Sequence, residues 1–216
     1  MNLCLMLKAP REGLVKTRLA KDVGFAAAAS IYRRLVEWQM SQIPAGWRVF
    51  VAYAPDDALD EMRSWLGEDP TFLPQVAGDL GDRLVAVLAQ LPRPMIFLGG
   101  DCPSLTEARL LEAARALESA GVVIWPSLDG GYCLIGCSAF LPELFQGIAW
   151  STSTVLEETL DRLPVGVDLA LLEPPLEDID DLSAWKRCEL SDGVGTDSAG
   201  GLPAAAPDER GKNREP

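Results

Sequence analysis

Histidine is missing from all 216 residues. Without an imidazole there is no Ser-His-Asp or Cys-His nucleophile pair and no HExxH zinc helix. Cysteine is sparse as well: five residues, an odd number, with no CxxC spacing. That usage fits reduced thiols packed as small hydrophobes better than a disulfide framework or a zinc site. Cys133 and Cys137 can be read as a metal pair, but alternation along a strand explains them more simply. Any metal is therefore expected on oxygen ligands, which favours Mg²⁺ or Mn²⁺. No apolar run approaches the roughly 18 residues of a membrane span. Met1 to Leu7 is too short, with its basic residues on the wrong side, for a secretory signal. Positive charge is in the minority, 19 Lys and Arg against 32 Asp and Glu for a net charge of −13, which argues against a nucleic-acid partner. These absences lead to the expectation of a cytoplasmic protein that binds neither membrane nor nucleic acid.

What remains is enough for one substantial core, since 48% of the residues are hydrophobic and the length favours one domain over two. That domain is expected over residues 1–190. Ser191 to Pro216, rich in Gly, Ser, Ala and Pro with no apolar period, is expected to be a disordered tail. Strands are predicted at Leu3–Leu7, Trp47–Tyr53, Thr71–Gln75, Met95–Leu98, Val122–Pro126, Tyr132–Gly136 and near Val165–Leu171. Helices are predicted at Phe25–Gln42, Pro55–Leu66, Arg83–Leu91, Glu107–Ala120, Val155–Leu163 and Leu182–Leu190. The alternation predicts an α/β fold with a mostly parallel sheet and right-handed crossovers. Asp129-Gly130 between two apolar runs adds an antiparallel hairpin.

The stretch around which the chain is organised is Met95-Ile96-Phe97-Leu98-Gly99-Gly100-Asp101. It reads as a buried strand that delivers a carboxylate to its C-terminal edge, where open α/β sheets bind ligands. A turn hydrogen bond is the plainer role for Asp101. Between Lys8 and Lys21 the chain reverses its charge, with five basic residues against one acid. A loop carrying Gly13, Lys16 and Arg18 after the first strand can hold phosphates, or it can be a solvated basic loop. It has neither Walker A nor GxGxxG spacing. Gln75 and the glycines Gly78 and Gly81 precede the next helix, where bare backbone suits a planar base and an amide can meet its edge; an ordinary turn is the alternative. Asp129 is either a hairpin residue or a base beside an acceptor hydroxyl. Hydroxyls at 151–154 can cap the following helix. The carboxylates of Glu177-Asp178-Ile179-Asp180-Asp181 either favour a helix N-terminus or supply a second metal ligand.

Lys8-Ala9-Pro10 with Gly13 to Leu19, Gly78-Asp79-Leu80-Gly81-Asp82-Arg83, Gly100-Asp101-Cys102-Pro103-Ser104-Leu105, Asp129-Gly130-Gly131-Tyr132 and Trp150-Ser151-Thr152 occur in that order. Together they resemble the glycosyltransferase-A-like proteins sometimes called selenodomain-associated transferases, over about residues 1–190. The wider superfamily of nucleotide-diphospho-sugar transferases also contains nucleotidylyltransferases such as the guanylyltransferases of cofactor biosynthesis. The resemblance implies a three-layer Rossmann-like sandwich with a mixed, mostly parallel sheet, nucleotide in the N-terminal half and acceptor in the C-terminal half. It implies phosphates on Lys8, Gly13, Lys16 and Arg18, the nucleoside on Gln75, Gly78 and Gly81, and Mg²⁺ or Mn²⁺ on Asp101 with a late Asp. Relatives carry Asp-Val-Asp-Thr-Pro-Glu-Asp-Leu there; this chain lacks Thr-Pro-Glu, and Asp180 is the preferred ligand, with Asp178 the alternative. The function expected is metal-dependent glycosyl transfer from a nucleotide sugar, with Asp101 and Asp129 catalytic. The alternatives are nucleotidyl transfer from an NTP to a phosphorylated acceptor and a non-catalytic nucleotide-binding module. The partners are then a nucleotide sugar or NTP and a small-molecule acceptor, and a homodimer is compatible with this reading.

Overall fold

In the first strand, β1 (Asn2–Lys8), nearly every side chain is buried, because alternate residues serve two different cores. Leu3, Leu5 and Leu7 enter one cluster and Cys4 the other, as the two-residue period of a strand requires. The computed structural model describes residues 1–192. The other strands are β2 (Arg48–Ala54), β3 (Thr71–Pro74), β4 (Met95–Leu98), β5 (Val122–Pro126), β6 (Tyr132–Cys137) and β7 (Leu169–Leu171). They form one seven-stranded sheet in the order β3-β2-β1-β4-β6-β5-β7. Only β6 runs against its neighbours β4 and β5; the remaining pairings are parallel.

The helices are α1 (Ala20–Val23), α2 (Phe25–Ser41), α3 (Leu59–Leu66), α4 (Leu80–Gln90), α5 (Glu107–Ser119), α6 (Val155–Asp161) and α7 (Leu182–Asp192). Val36 of α2, Met62 of α3 and Leu110 of α5 pack on one sheet face. On the other lie Leu84 and Leu88 of α4, Phe145 of a short 3-10 helix (Pro142–Phe145) and Leu156 of α6. The result is the expected three-layer α/β sandwich, with each layer contact closed by apolar residues at helical or strand spacing. A third cluster joins Leu19, Ile31, Leu35, Ile179, Ala184 and Trp185, and it anchors the late acidic segment against α2.

Several boundaries differ from expectation. Helix α4 starts at Leu80 rather than Arg83, because Asp79 and Asp82 form a reciprocal capping box that opens the helix a turn earlier. Thr154, one of the hydroxyls expected to cap α6, stands at the N-cap position but makes no side-chain cap bond; its hydroxyl bonds the Glu158 carboxylate instead. Strand β7 is shorter than predicted, with Val165 fully exposed, and the short α1 has too few residues for a periodic signal. Helix α7 continues to Asp192, two residues into the expected tail, whose remainder lies outside the described residues. No helix among the described residues is long and apolar enough to cross a membrane.

Candidate active site

Strand order places the site. β1 leads to β2 on one side, while β4 lies on its other side, so a crevice opens at the carboxyl ends of β1 and β4, where doubly wound sheets receive ligands. Past Leu98 the chain runs through Gly99 and Gly100 to Asp101. Its loop is pinned to α2 by bonds from Trp38 Nε1 to the Pro103 carbonyl at 3.0 Å and from Gln39 Nε2 to the Leu105 carbonyl at 3.0 Å. The late acids reach the same place by a strand-like alternation. Ile179 is buried in the third cluster, its N–H donates to the Asp101 carbonyl at 2.9 Å, and Asp178 and Asp180 on either side of it are turned towards Asp101. One carboxylate oxygen from each of Asp101, Asp178 and Asp180 lies within 4.8 Å of the others.

The basic loop enters this cluster directly. Lys16 Nζ donates to Asp101 Oδ2 at 2.9 Å and to Asp180 Oδ1 at 3.0 Å, and an Arg18 Nη donates to Asp180 Oδ2 at 3.3 Å. Burial alone would lower the Lys16 pKa, but the charges of Asp101 and Asp180 outweigh it and hold the ammonium above the ordinary lysine value. No Lys or Arg among the described residues pairs with Asp178 in this way. Burial, then the charges of Asp101, Asp129 and Asp180, push its carboxyl up to about 6. The charge reversal of the basic loop thus has partly internal causes, since Arg11 is also spent on Asp57 and Glu61 at 2.9 and 2.8 Å.

Two openings lie along the carboxyl ends of the strands, one of them lined by Asp101 and Asp178 of the cluster. A cavity of about 270 Å³ lies over β1, β4 and β6, with Phe97, Ile135, Tyr132 and Trp150 among its apolar walls and Asp101, Asp129 and Asp178 at its polar side. No Lys or Arg among the described residues lines it. Asp129 is held there by Ser127 Oγ and by the Gly131 N–H at 3.0 Å. Gly130 allows this turn: its φ is +91°, and a Cβ would lie 2.2 Å from the Ser153 carbonyl oxygen. The second opening is a groove over β1, β2 and β3 that contains Lys8, Gln75 and Arg83. Both donors of the Gln75 amide are engaged there, by the Leu7 and Ala52 carbonyls at 3.0 and 2.7 Å, and its oxygen accepts from Arg83 at 3.0 Å.

Of the residues singled out from sequence, Asp101, Asp180, Lys16 and Arg18 come together, and Asp129 shares a cavity with Asp101. Lys8 and Gln75 lie in the neighbouring groove. Gly13 forms an exposed turn, and Gly78 stands before the α4 cap. Gly81 lies inside α4, where a Cβ would meet the Phe145 carbonyl oxygen at 2.0 Å, so helix packing alone requires it. The sequence offers Asp180 with Asp178 as the alternative, whereas the fold brings both to Asp101. The Asp-Ile-Asp alternation was the available signal. Arg83 and Trp150 were not singled out as site residues; their place on the walls depends on the packing of α4 and the segment before α6.

Residues 40–152 match a family described as "Uncharacterized protein conserved in bacteria (DUF2064)". Among solved structures, a candidate nucleotide-diphospho-sugar transferase from Desulfovibrio desulfuricans G20 is 28% identical with a TM-score of 0.80, over 91% of this chain and 89% of that one. A nucleotidyl transferase from Methanothermobacter thermautotroptrophicus is 17% identical with a TM-score of 0.59, covering 88% and 96%. A 4-diphosphocytidyl-2C-methyl-D-erythritol synthase from Anaerococcus prevotii DSM 20548 is 10% identical with a TM-score of 0.57, covering 88% and 95%. The two more distant structures share the fold. No curated protein matches the sequence.

Proposed function

The chain belongs to the DUF2064 family of proteins conserved in bacteria, and from that premise we propose that it transfers a glycosyl group from a nucleotide-diphosphate sugar to an uncharged hydroxyl acceptor. The observation that carries this reading is the cavity beside the acid cluster. Its polar side is made of the carboxylates Asp101, Asp129 and Asp178 with the hydroxyl residues Ser127, Ser151 and Thr152, and no basic residue among the described residues lines it. A phosphorylated acceptor, which nucleotidyl transfer would require, finds no cationic side chain on that lining. A neutral alcohol with an apolar body fits both the Phe97, Ile135 and Trp150 wall and the carboxylates.

The donor then lies across the switch point. Its nucleotide occupies the groove of Lys8 and Arg83, with Gln75 bracing the strand ends beneath, and its diphosphate faces Lys16 and Arg18. Asp101, Asp178 and Asp180 suit a hard divalent cation, since their donors are all oxygen and the cluster already chelates one cation, the Lys16 ammonium. Such an ion, when bound, neutralises charge on the diphosphate leaving group. Asp129 takes the proton of the acceptor hydroxyl as its oxygen bonds to the sugar carbon and the sugar–phosphate bond breaks, and Ser127 and the Gly131 N–H keep that carboxylate aimed. The 28% identity to the Desulfovibrio protein over most of both chains supports the donor class.

A thermal-shift panel of nucleotides and nucleotide sugars, with and without Mn²⁺, tests the donor, because a ligand held only by the folded state raises the midpoint. Stabilisation by a nucleotide sugar that requires the metal, followed by release of nucleoside diphosphate in the presence of neutral alcohols, is the expected result. Pyrophosphate release from an NTP with a phosphorylated acceptor would overturn the reading.

A further inference from the structure

Lys16 is placed unlike a phosphate-gripping lysine, whose ammonium would face solvent until its ligand came. Its side chain is only 5% exposed, and its Nζ lies between Asp101 Oδ2 at 2.9 Å and Asp180 Oδ1 at 3.0 Å. The loop is built to hold it there. Val15 and Leu19, both buried, anchor the chain around it, and Lys16 itself takes a left-handed backbone at φ 45°, a conformation that a long side chain adopts only when its surroundings enforce it. Without this ammonium, Asp101 would face Asp178 and Asp180 with only the exposed Arg18 guanidinium, among the described residues, to offset them. Carboxylates so close repel, and a buried cation is what allows them to share a site.

An ammonium and a divalent cation held by the same pair of carboxylates repel each other at close range, so the Lys16 contacts compete with metal binding. We propose that Lys16 is the resident counter-ion of the acid cluster: it holds Asp101 and Asp180 together in the metal-free protein and has to vacate them for a divalent cation to bind. Lys16 is therefore a positioning residue that weakens metal binding in the absence of donor. Once displaced, its ammonium is free to meet the diphosphate, so metal and donor each favour the other's arrival, and the coupling is reciprocal. This inference rests on the metal site in the function proposed above, and its test separates the two.

Mn²⁺ alone is titrated into the full chain, with free ion followed by electron paramagnetic resonance, for wild type, Lys16→Met and Lys16→Arg. Lys16→Met is expected to bind Mn²⁺ about tenfold more tightly than wild type, within the usual range of site-to-site coupling. Lys16→Arg, which keeps the charge, is expected to bind no more tightly than wild type. The metal-free Lys16→Met protein should melt below wild type and gain more from saturating Mn²⁺. If Lys16→Met does not fold, Lys16→Gln removes the charge while keeping a hydrogen-bond donor, and the same tightening is expected of it. Equal or weaker Mn²⁺ binding by the neutral variants, or equal tightening by Lys16→Arg, overturns this inference and leaves the metal site standing. Absence of Mn²⁺ binding in wild type and every variant overturns the metal site itself.

Discussion

At the scale of single residues, the site is an arrangement of charges in which each carboxylate has a different fate. Asp101 and Asp180 are compensated by Lys16, while Asp178 is not, and the difference has a measurable sign. Burial, and then the charges of Asp101, Asp129 and Asp180, push the Asp178 carboxyl up to about 6 from its ordinary 3.8. Between those values the folded state keeps a proton that the unfolded chain has released, so this group's contribution is full below the lower value and is lost as pH rises through the higher one. Metal-free Asp178→Asn should therefore be more stable than wild type at about pH 8, by roughly 1–2 kcal/mol after solvent screening, with the advantage vanishing near about pH 4. Urea unfolding in the presence of a chelator at the two pH values measures it. Asp101→Asn has the opposite character, because it removes one of the two carboxylates that compensate the buried Lys16 ammonium and leaves Asp180. It should lower the melting temperature of the metal-free protein and abolish stabilisation by Mn²⁺, read in the same thermal-shift assay.

At the scale of elements, precision comes from contacts remote from the chemistry. Ile179, 2% exposed, sits between two site carboxylates with its side chain in the cluster formed by α1, α2 and α7. Ile179→Ala should cost about 2–5 kcal/mol in urea unfolding, and it should weaken Mn²⁺ binding although no ligand is touched. Gly81→Ala drives a methyl into the Phe145 carbonyl at 2.0 Å; a loss of about 1–3 kcal/mol by overpacking is expected in the same assay. The strands and most helices were legible because each carries enough apolar residues at its own period. The start of α4 is not legible in the sequence because Gly78 and Gly81 read as loop, whereas the Asp79 and Asp82 cap outweighs the cost of Gly81 in a first turn.

At the scale of the whole molecule, the sheet both divides the core and closes it. Cys4, Cys102, Cys133 and Cys137 are buried, and burial pushes the Cys4 and Cys137 thiols up to about 12, so the thiolates that react are scarce in the folded state. Ellman's reagent should modify at most Cys188 rapidly in the native protein and all five thiols after denaturation. Fast modification of the others would mean that the two sheet faces open more readily than their packing implies.

What the sequence determined by itself was the class of fold and the chemistry it could not perform. Strand and helix periods are local and survive in a string of letters, and the absence of histidine removes whole mechanisms whatever the fold. The order of strands, and with it the meeting of Lys16, Asp101, Asp178 and Asp180, was decided only in three dimensions, because 164 positions separate Lys16 from Asp180. The sequence showed a basic loop and an acidic segment; it did not show that each is the other's partner. Charge pairing acts over a few ångströms of space, and distance in space is what tertiary packing alone creates.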